Sequence, residues 1–418
     1  MAFMSRILKD RRLYSLLTAN IFSSIGSGIT MITIPWLLVN REGGEQLFGY
    51  AALSMTLLLF FASPYIGTLI DRFPRKQMLL FSEIFGFTVI ATLAFWGFFS
   101  GHFETWQLIS IYAAGSLYYS LHYPTQFAFT QEIFEKSQYQ SLNSVMEIQN
   151  QTASMVAGGL ASLLIDKINL SYLLMLDAAT YIIGYFLILS IPYIQHQSGA
   201  AREKSTVWNN MKEGFLYLKD KPLFTLFFIC SLMPFIGVMV GNYLFPVYIS
   251  KILQADASVM GLSDMVYAIG AVLAGFTLPI LINKLGSYRA VAITVAVFTI
   301  GTLITAWIPV VSLFLFLKIA LGWGNAGARV ARNTILMETV PNHLIGRVNS
   351  FFNAVGMGLR VCLIGLFSQT IVYTGASVSL SIMGIVLAFA LFGVLSSRSL
   401  FTVQKADLIP ATSKPTAL

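Results

Sequence analysis

Charge is scarce in this chain. Its 26 Lys and Arg and 18 Asp and Glu make up 11% of 418 residues, against about 25% in soluble domains. That scarcity excludes a soluble enzyme, a nucleic-acid binder and a disordered chain. Cysteine is rarer still: Cys230 and Cys362 stand in apolar stretches without partner spacing, so no disulfide framework or metal site is expected and both are read as packing residues. The histidines His102, His122, His196 and His343 are scattered over an outer loop, a span, a linker and an inner loop. They show no metal-ligand spacing and no accompanying nucleophile motif, which argues against a membrane enzyme and predicts no cofactor. No G-x-x-x-x-G-K-[ST] run exists to bind a nucleotide.

Apolar residues are what the chain has in plenty, at 56% of its length. Twelve membrane helices of about 20 residues need about 240, which matches that share. The net charge of +8 then reads as topology, because loops on the cytoplasmic side are enriched in Lys and Arg. Most basic residues fall in alternate loops and both termini, and only Arg41, Lys167 and Lys251 fall in loops of the opposite side. Both termini are predicted to be cytoplasmic. The basic and then apolar N-terminus has no small-residue cleavage site and reads as a retained first helix.

Breaks in hydropathy place spans near 13–40, 48–70, 77–99, 106–130, 140–165, 171–193, 222–250, 259–282, 289–308, 311–336, 348–372 and 376–396. The expected fold is an all-α membrane protein of twelve transmembrane helices in two pseudo-symmetric six-helix bundles, 1–193 and 222–396. A polar linker, 194–221, joins them, and a tail, 397–418, is expected to be disordered. Within the linker Val207, Met211, Phe215 and Leu218 recur at helical spacing, predicting an amphipathic helix along the membrane surface. An internal repeat supports the two halves. Glu132 precedes Asn143-Ser144 by the same interval as Glu338 precedes Asn349-Ser350, Pro35 matches Pro246, and Asp71-Arg72 matches Asn283-Lys284. The matched elements run in the same direction, as in a parallel repeat.

Between spans 2 and 3 stands Gly67-Thr68-Leu69-Ile70-Asp71-Arg72-Phe73-Pro74-Arg75-Lys76. It resembles the G-x-L-x-D-R-x-x-R-K signature of the major facilitator superfamily, and Met211-Lys212-Glu213-Gly214 and Gly346-Arg347-Val348 resemble its macrolide-efflux branch. The resemblance implies a cytoplasmic gate. Gly67 is expected to let helix 2 approach a neighbour, and Asp71 to face the N-terminal end of span 11 and Arg347. Arg72, Arg75 and Lys76 are expected to pair with Glu132, Glu135 or anionic lipid. The plainer reading is a basic loop that only sets topology, and it is preferred for Lys76 alone. The second copy, Asn283 to Arg289, lacks the acid, so one strong latch is expected.

Ionisable residues inside spans are functional candidates by default. Arg360, about 18 Å into its span at 1.5 Å per residue, is the first candidate for substrate binding. Lys318, Asn20, His122 and Tyr119 join it, against the alternatives of snorkelling for Lys318 and helix packing for Asn20 and His122. Glu147 is the preferred proton-coupling residue, with Asp264 second; the alternatives for Glu147 are a structural ion pair or a cytoplasm-facing residue. Glu83 and Asp177 rank lower, because the resemblance assigns spans 3 and 6 to the periphery. Two departures weigh against proton antiport: residues 106–130 contain no Lys or Arg, and Val156-Ala157-Gly158-Gly159 lacks the Gly-Pro pair common in the family's drug antiporters.

The expected function is a secondary transporter, monomeric, in a bacterial inner membrane, exporting amphipathic small molecules by alternating access, with protons as one candidate coupling ion. The alternatives are an exporter of an anionic metabolite such as a siderophore, which Arg360 and Lys318 favour, and a transporter-like membrane sensor.

Overall fold

The computed structural model describes residues 10–135, 138–193 and 207–400. The tail from 401 lies outside this range, as do Lys136, His196 and most of the linker ahead of Val207. Among the described residues every regular element is helical. The first six are α1 (Arg11–Val39), α2 (Gly44–Arg72), α3 (Arg75–Ser100), α4 (Thr105–Ile133), α5 (Tyr139–Leu164) and α6 (Leu170–Leu189). A short α7 (Val207–Lys219) precedes α8 (Pro222–Val247), α9 (Ala257–Leu285), α10 (Ser287–Trp307), α11 (Val311–Thr339) and α12 (Asn342–Ser396).

Apolar runs make these helices long, and a few residue types end them. Asp10 caps α1 by accepting from the Arg12 backbone N–H at 2.8 Å. Its hydrogen bonds to the Arg12 side chain hold the Asp10 carboxyl below the usual range. Gly101, at φ 71°, closes α3 in the left-handed conformation. α12 runs for 55 residues, about 80 Å at 1.5 Å per residue and more than any bilayer spans, but Gly375 at φ 75° breaks it into two arms. The sequence reading placed a boundary there, between 372 and 376. Nine helices among the described residues are long and apolar enough to cross a membrane, the two arms of α12 counting as one. α4 and α5, at 29 and 26 residues, are long enough but more polar.

α1 packs on α4, α5 and α6, and α3 packs on α4 and α6. In the second half α8 and α10 pack on α12, and α11 packs on α9 and α10. The matched repeat residues take equivalent places: Asp71-Arg72 end α2 as Asn283-Lys284 end α9, and Glu132 and Glu338 end α4 and α11. α7 is not free on the surface. It packs on α12, where Gly214 lies against the Arg347 backbone, Glu213 pairs with Arg347, and Phe215 meets Phe351 at 5.9 Å. Of the stripe read from the sequence, Leu218 is buried and Phe215 half exposed, while the side chains of Val207 and Met211 lie outside the description.

The two ends of the molecule differ. At the end carrying Arg41, Lys167 and Lys251 the halves are sealed. A Cβ on Gly158 of α5 would come within 2.7 Å of the Gly261 carbonyl oxygen on α9, so glycine on both sides is what admits the contact. Tyr243 donates to the Glu45 carbonyl at 3.0 Å, Ser250 to Asn40 Oδ1 at 2.7 Å, and the Ser258 N–H to Asp166 at 3.1 Å. At the basic end α2 stands exposed from Ser63 to Leu69, apart from the half-buried Ile66.

Candidate functional site

Between the halves, half-exposed polar side chains of α5 and α11 face each other and border a cleft. From α5, Glu147 accepts a hydrogen bond from the Arg329 guanidinium of α11 at 2.8 Å, and Gln151 adds a second donor at 3.0 Å. Both partners of this pair are roughly half exposed, at 47% and 41% of their side chains. Tyr123 of α4 lies within electrostatic reach of both. Higher in the cleft, Arg360 of the first α12 arm faces Tyr112 of α4, again across the halves, and its buried Nε has no hydrogen-bond partner.

Lys318 and Asp264 come together at 3.9 Å. Lys318 is buried, with its Nζ 3.8 Å from the Phe245 ring centre and 5.7 Å from those of Tyr267 and Phe314. It neither snorkels nor enters the cleft as a free cation, because three rings and a carboxylate already surround it. Asp264 is the open member, with 38% of its side chain exposed. Beside it Asn325 donates to the Tyr267 hydroxyl at 2.7 Å and leaves its own Oδ1 unpartnered.

Asn20 and His122 are corrected from cleft to interior. His122 Nδ1 meets Ser82 Oγ at 2.9 Å and lies 3.5 Å from Glu83 Oε1, while its Nε2 meets Asn20 Oδ1 at 3.3 Å. The ring stacks on Tyr118 at 4.8 Å. Glu83 accepts from Ser23 at 3.0 Å and from Tyr118 at 3.2 Å, and Asp177 accepts from Thr30 at 2.6 Å. Both carboxylates are fully buried, although α3 and α6 keep to the outside of the first half, packing on its other helices. Spans 3 and 6 present one face to α1 and α4, and their acids occupy that face. Tyr119 alone reaches outward: it is 38% exposed and shares a 2.9 Å hydrogen bond with Ser27. Cys362 is exposed on α12, whereas Cys230 packs as expected.

The gate residues divide into two separate groups. Arg75 meets Glu132 at 3.4 Å and Asp71 at 3.8 Å, and Tyr193 donates to Glu132 at 3.0 Å. Lys76 donates to the Leu189 and Ile191 carbonyls at 2.8 and 2.7 Å, capping the end of α6. Arg72 is exposed. Asp71 does not meet Arg347, whose partner is Glu213, and Gly67 has open space where a neighbour was expected. The two sides of the expected latch thus stand apart, with Asp71, Arg75 and Glu132 paired within the first half and Arg347 paired with Glu213 of α7.

The pair Glu147–Arg329 spans 182 positions of sequence, and sequence reasoning missed Arg329. Its only signal was a second arginine inside span 10. Exposed pairs of this kind are worth about 0–1 kcal/mol, so Glu147→Gln or Arg329→Gln is expected to change transport rate only about fivefold or less. The swap Glu147→Arg with Arg329→Glu is expected to restore most of it. Initial transport rates of the three variants check this, and a swap as slow as the sum of both singles would remove the pair from the cycle.

Two helical bundles of spans long and apolar enough to cross a membrane, with polar side chains facing each other between them, fit a membrane transporter. The chain belongs to the Major Facilitator Superfamily, whose family model matches residues 16–249 and 227–407. It is 20% identical over 370 residues to macrolide efflux protein A of Streptococcus pyogenes, covering 86% of this chain and 90% of that one. It is 22% identical over 344 residues to the multidrug efflux pump Tap of Mycolicibacterium fortuitum, covering 80% and 82%. Among solved structures, a point mutant of the nucleoside transporter NupG superposes with a TM-score of 0.73 at 14% identity, over 93% of this chain and 100% of that one. That likeness concerns the fold.

Proposed function

We propose that this chain exports amphipathic organic molecules from the cytoplasm across a bacterial inner membrane. In this reading the halves 1–193 and 222–396 rock about the cleft as a monomer, with both termini cytoplasmic and a proton gradient as the driving force. The observation that carries it is the asymmetry of the interface: glycine backbones close one end, while toward the basic end α2 stands exposed and charged side chains from both halves are half exposed. The efflux relatives support the direction. The contacts of Arg75, Glu132 and Arg347 would rearrange when the basic end closes, with Asp71 and Gly67 then meeting the opposite half.

Arg360 favours a second reading, in which the substrate carries an anionic group such as a carboxylate or catecholate. Its guanidinium sits across from Tyr112 with a buried nitrogen unpartnered, and guanidinium matches such groups by paired hydrogen bonds. The test is accumulation of cationic and anionic dyes, macrolides and siderophores in an efflux-deficient bacterium, with and without a protonophore. Lower accumulation that the protonophore reverses is expected, and Arg360→Ala is expected to abolish export of the anionic compounds alone. No change over the panel would sink the export reading, and unchanged export of anions by Arg360→Ala would sink the anionic one.

A further inference from the structure

The fully buried cluster inside the first half has a hydrogen-bond pattern that closes with either of two proton counts. The Ser82 hydroxyl lies 2.9 Å from His122 Nδ1 and 2.7 Å from the Leu79 carbonyl. Turned to Nδ1 it donates and the imidazole is neutral; turned to Leu79 it accepts from His122, and Nδ1 carries a proton. His122 Nε2 faces the Asn20 amide oxygen, an acceptor, at 3.3 Å. With Ser82 turned to Leu79 both ring nitrogens donate and the imidazole is a cation beside Glu83, while Asn20 Nδ2, buried and aimed into the cluster, has no partner. A half-turn of the Asn20 amide reverses this: Nδ2 donates to Nε2, the orphan is satisfied and the imidazole is neutral. Two hydrogen-bonded states thus differ by one proton and one amide rotation.

The polar groups around Glu83 and His122 come from three helices besides α3. From α1 come Ser23 and Asn20, from α4 Tyr118 and His122, and from α6 Tyr181 and Asp177, the second carboxylate of the cluster. Among the described residues no lysine or arginine pairs with either acid. Asp177 Oδ1 is also buried without a partner. Gly26 and Gly184 make the room: a Cβ on Gly26 would lie 2.8 Å from Asp177 Oδ1, and one on Gly184 would lie 3.0 Å from Glu83 Oε2. The cluster touches the cleft at Tyr119. Tyr123, one turn further along the same face of α4, reaches the Glu147–Arg329 pair, so this face is turned toward the second half.

We propose that Glu83 and His122 form a proton-binding site, loaded and unloaded through the cleft past Tyr119. On loading, one proton leaves cleft water and is shared between the Glu83 carboxyl and the imidazole, and the Glu83–His122 pair passes from a net charge of −1 to zero. On unloading it returns to water when Tyr119 again faces an open cleft, and Asn20 turns to meet Nε2. A buried pair is far cheaper to hold neutral than charged, so proton binding changes how tightly α1, α3, α4 and α6 close. This inference rests on the proton-driven reading above and moves its coupling site away from Glu147 and Asp264.

The test is infrared difference spectroscopy of the full chain in lipid vesicles across a pH titration, read at the C=O band of protonated carboxyl groups. Wild type is expected to show a titrating band, Glu83→Gln to lose that component, and His122→Gln and Asn20→Ala to move its midpoint. Tyr119→Phe is expected to slow the response to a pH jump with the same end point. Ser23→Ala removes one donor to Glu83 without altering packing and is expected to move the midpoint as well, which keeps the test open should Glu83→Gln fail to fold. A band identical in wild type, Glu83→Gln and Ser23→Ala overturns the site, whatever the flux. A titrating band lost in Glu83→Gln, in vesicles that show no proton-dependent flux, supports the site and overturns the transport reading alone.

Discussion

Gly261→Val is expected to abolish transport while leaving both bundles folded. A Cβ at this position would lie 2.6 Å from the Gly158 carbonyl oxygen, a backbone atom that no rotamer change can move. Overpacking of this kind costs about 1–3 kcal/mol, and the cost falls only on the conformation in which α5 and α9 touch. At about 1.4 kcal/mol per factor of ten, the sealed state loses roughly fivefold to a hundredfold in population. Distances between spin labels on the loops after α5 and before α9, in a background lacking Cys230 and Cys362, check this directly. Gly261→Ala is expected to show the same shift more weakly. Wild-type distances with Gly261→Val would mean that the helices yield elsewhere and that the glycines are not the seal.

The second large effect is expected at Asp264. Asp264→Asn leaves Lys318 buried among three rings with its charge uncompensated. Breaking a buried pair on one side costs about 3–5 kcal/mol, and because Asp264 is 38% exposed the lower end, about 3 kcal/mol or less, is expected after screening. Replacing both partners is nearly neutral in such cases, so Asp264→Asn with Lys318→Met should recover most of the lost thermal stability. Unfolding temperatures of purified protein in detergent measure the cycle, and a double variant as unstable as the sum of its parts would deny the coupling. Proton-dependent flux in that double variant would also remove Asp264 from coupling.

The fold was legible because membrane helices announce themselves by length and apolarity alone. The expected span 311–336 and the observed α11 (Val311–Thr339) differ only at one end, and Gly375 falls in the expected gap between the last two spans. The site was less legible, because its pairs join residues far apart in sequence. Nothing near Lys318 in the chain reveals that Asp264 will meet it, and Arg329 gives no sign of Glu147. Glu83 shows a different failure. Its isolation in an apolar run was visible, and so were Asn20, Ser23 and Ser27 on α1, but their shared face required the packing of α1 on the other helices. Gly26 and Gly184 leave the space for the two acids, and that too shows only once the helices are packed. The stretch Val156 to Gly159, noted for its missing proline, has its own use: Gly158 is half of the seal.

The docking of α7 on α12 has a consequence for how the two halves are held to each other. Gly214 against the Arg347 backbone, Glu213 on Arg347 and Phe215 on Phe351 make α7 part of the second half. Cutting the chain ahead of Val207 therefore removes none of these contacts and none of those at the glycine seal. What the cut removes is effective concentration: the second half no longer meets the first at the high local level a covalent tether enforces. In this molecule the linker acts on the halves through probability of encounter, and the seal acts on them through contact.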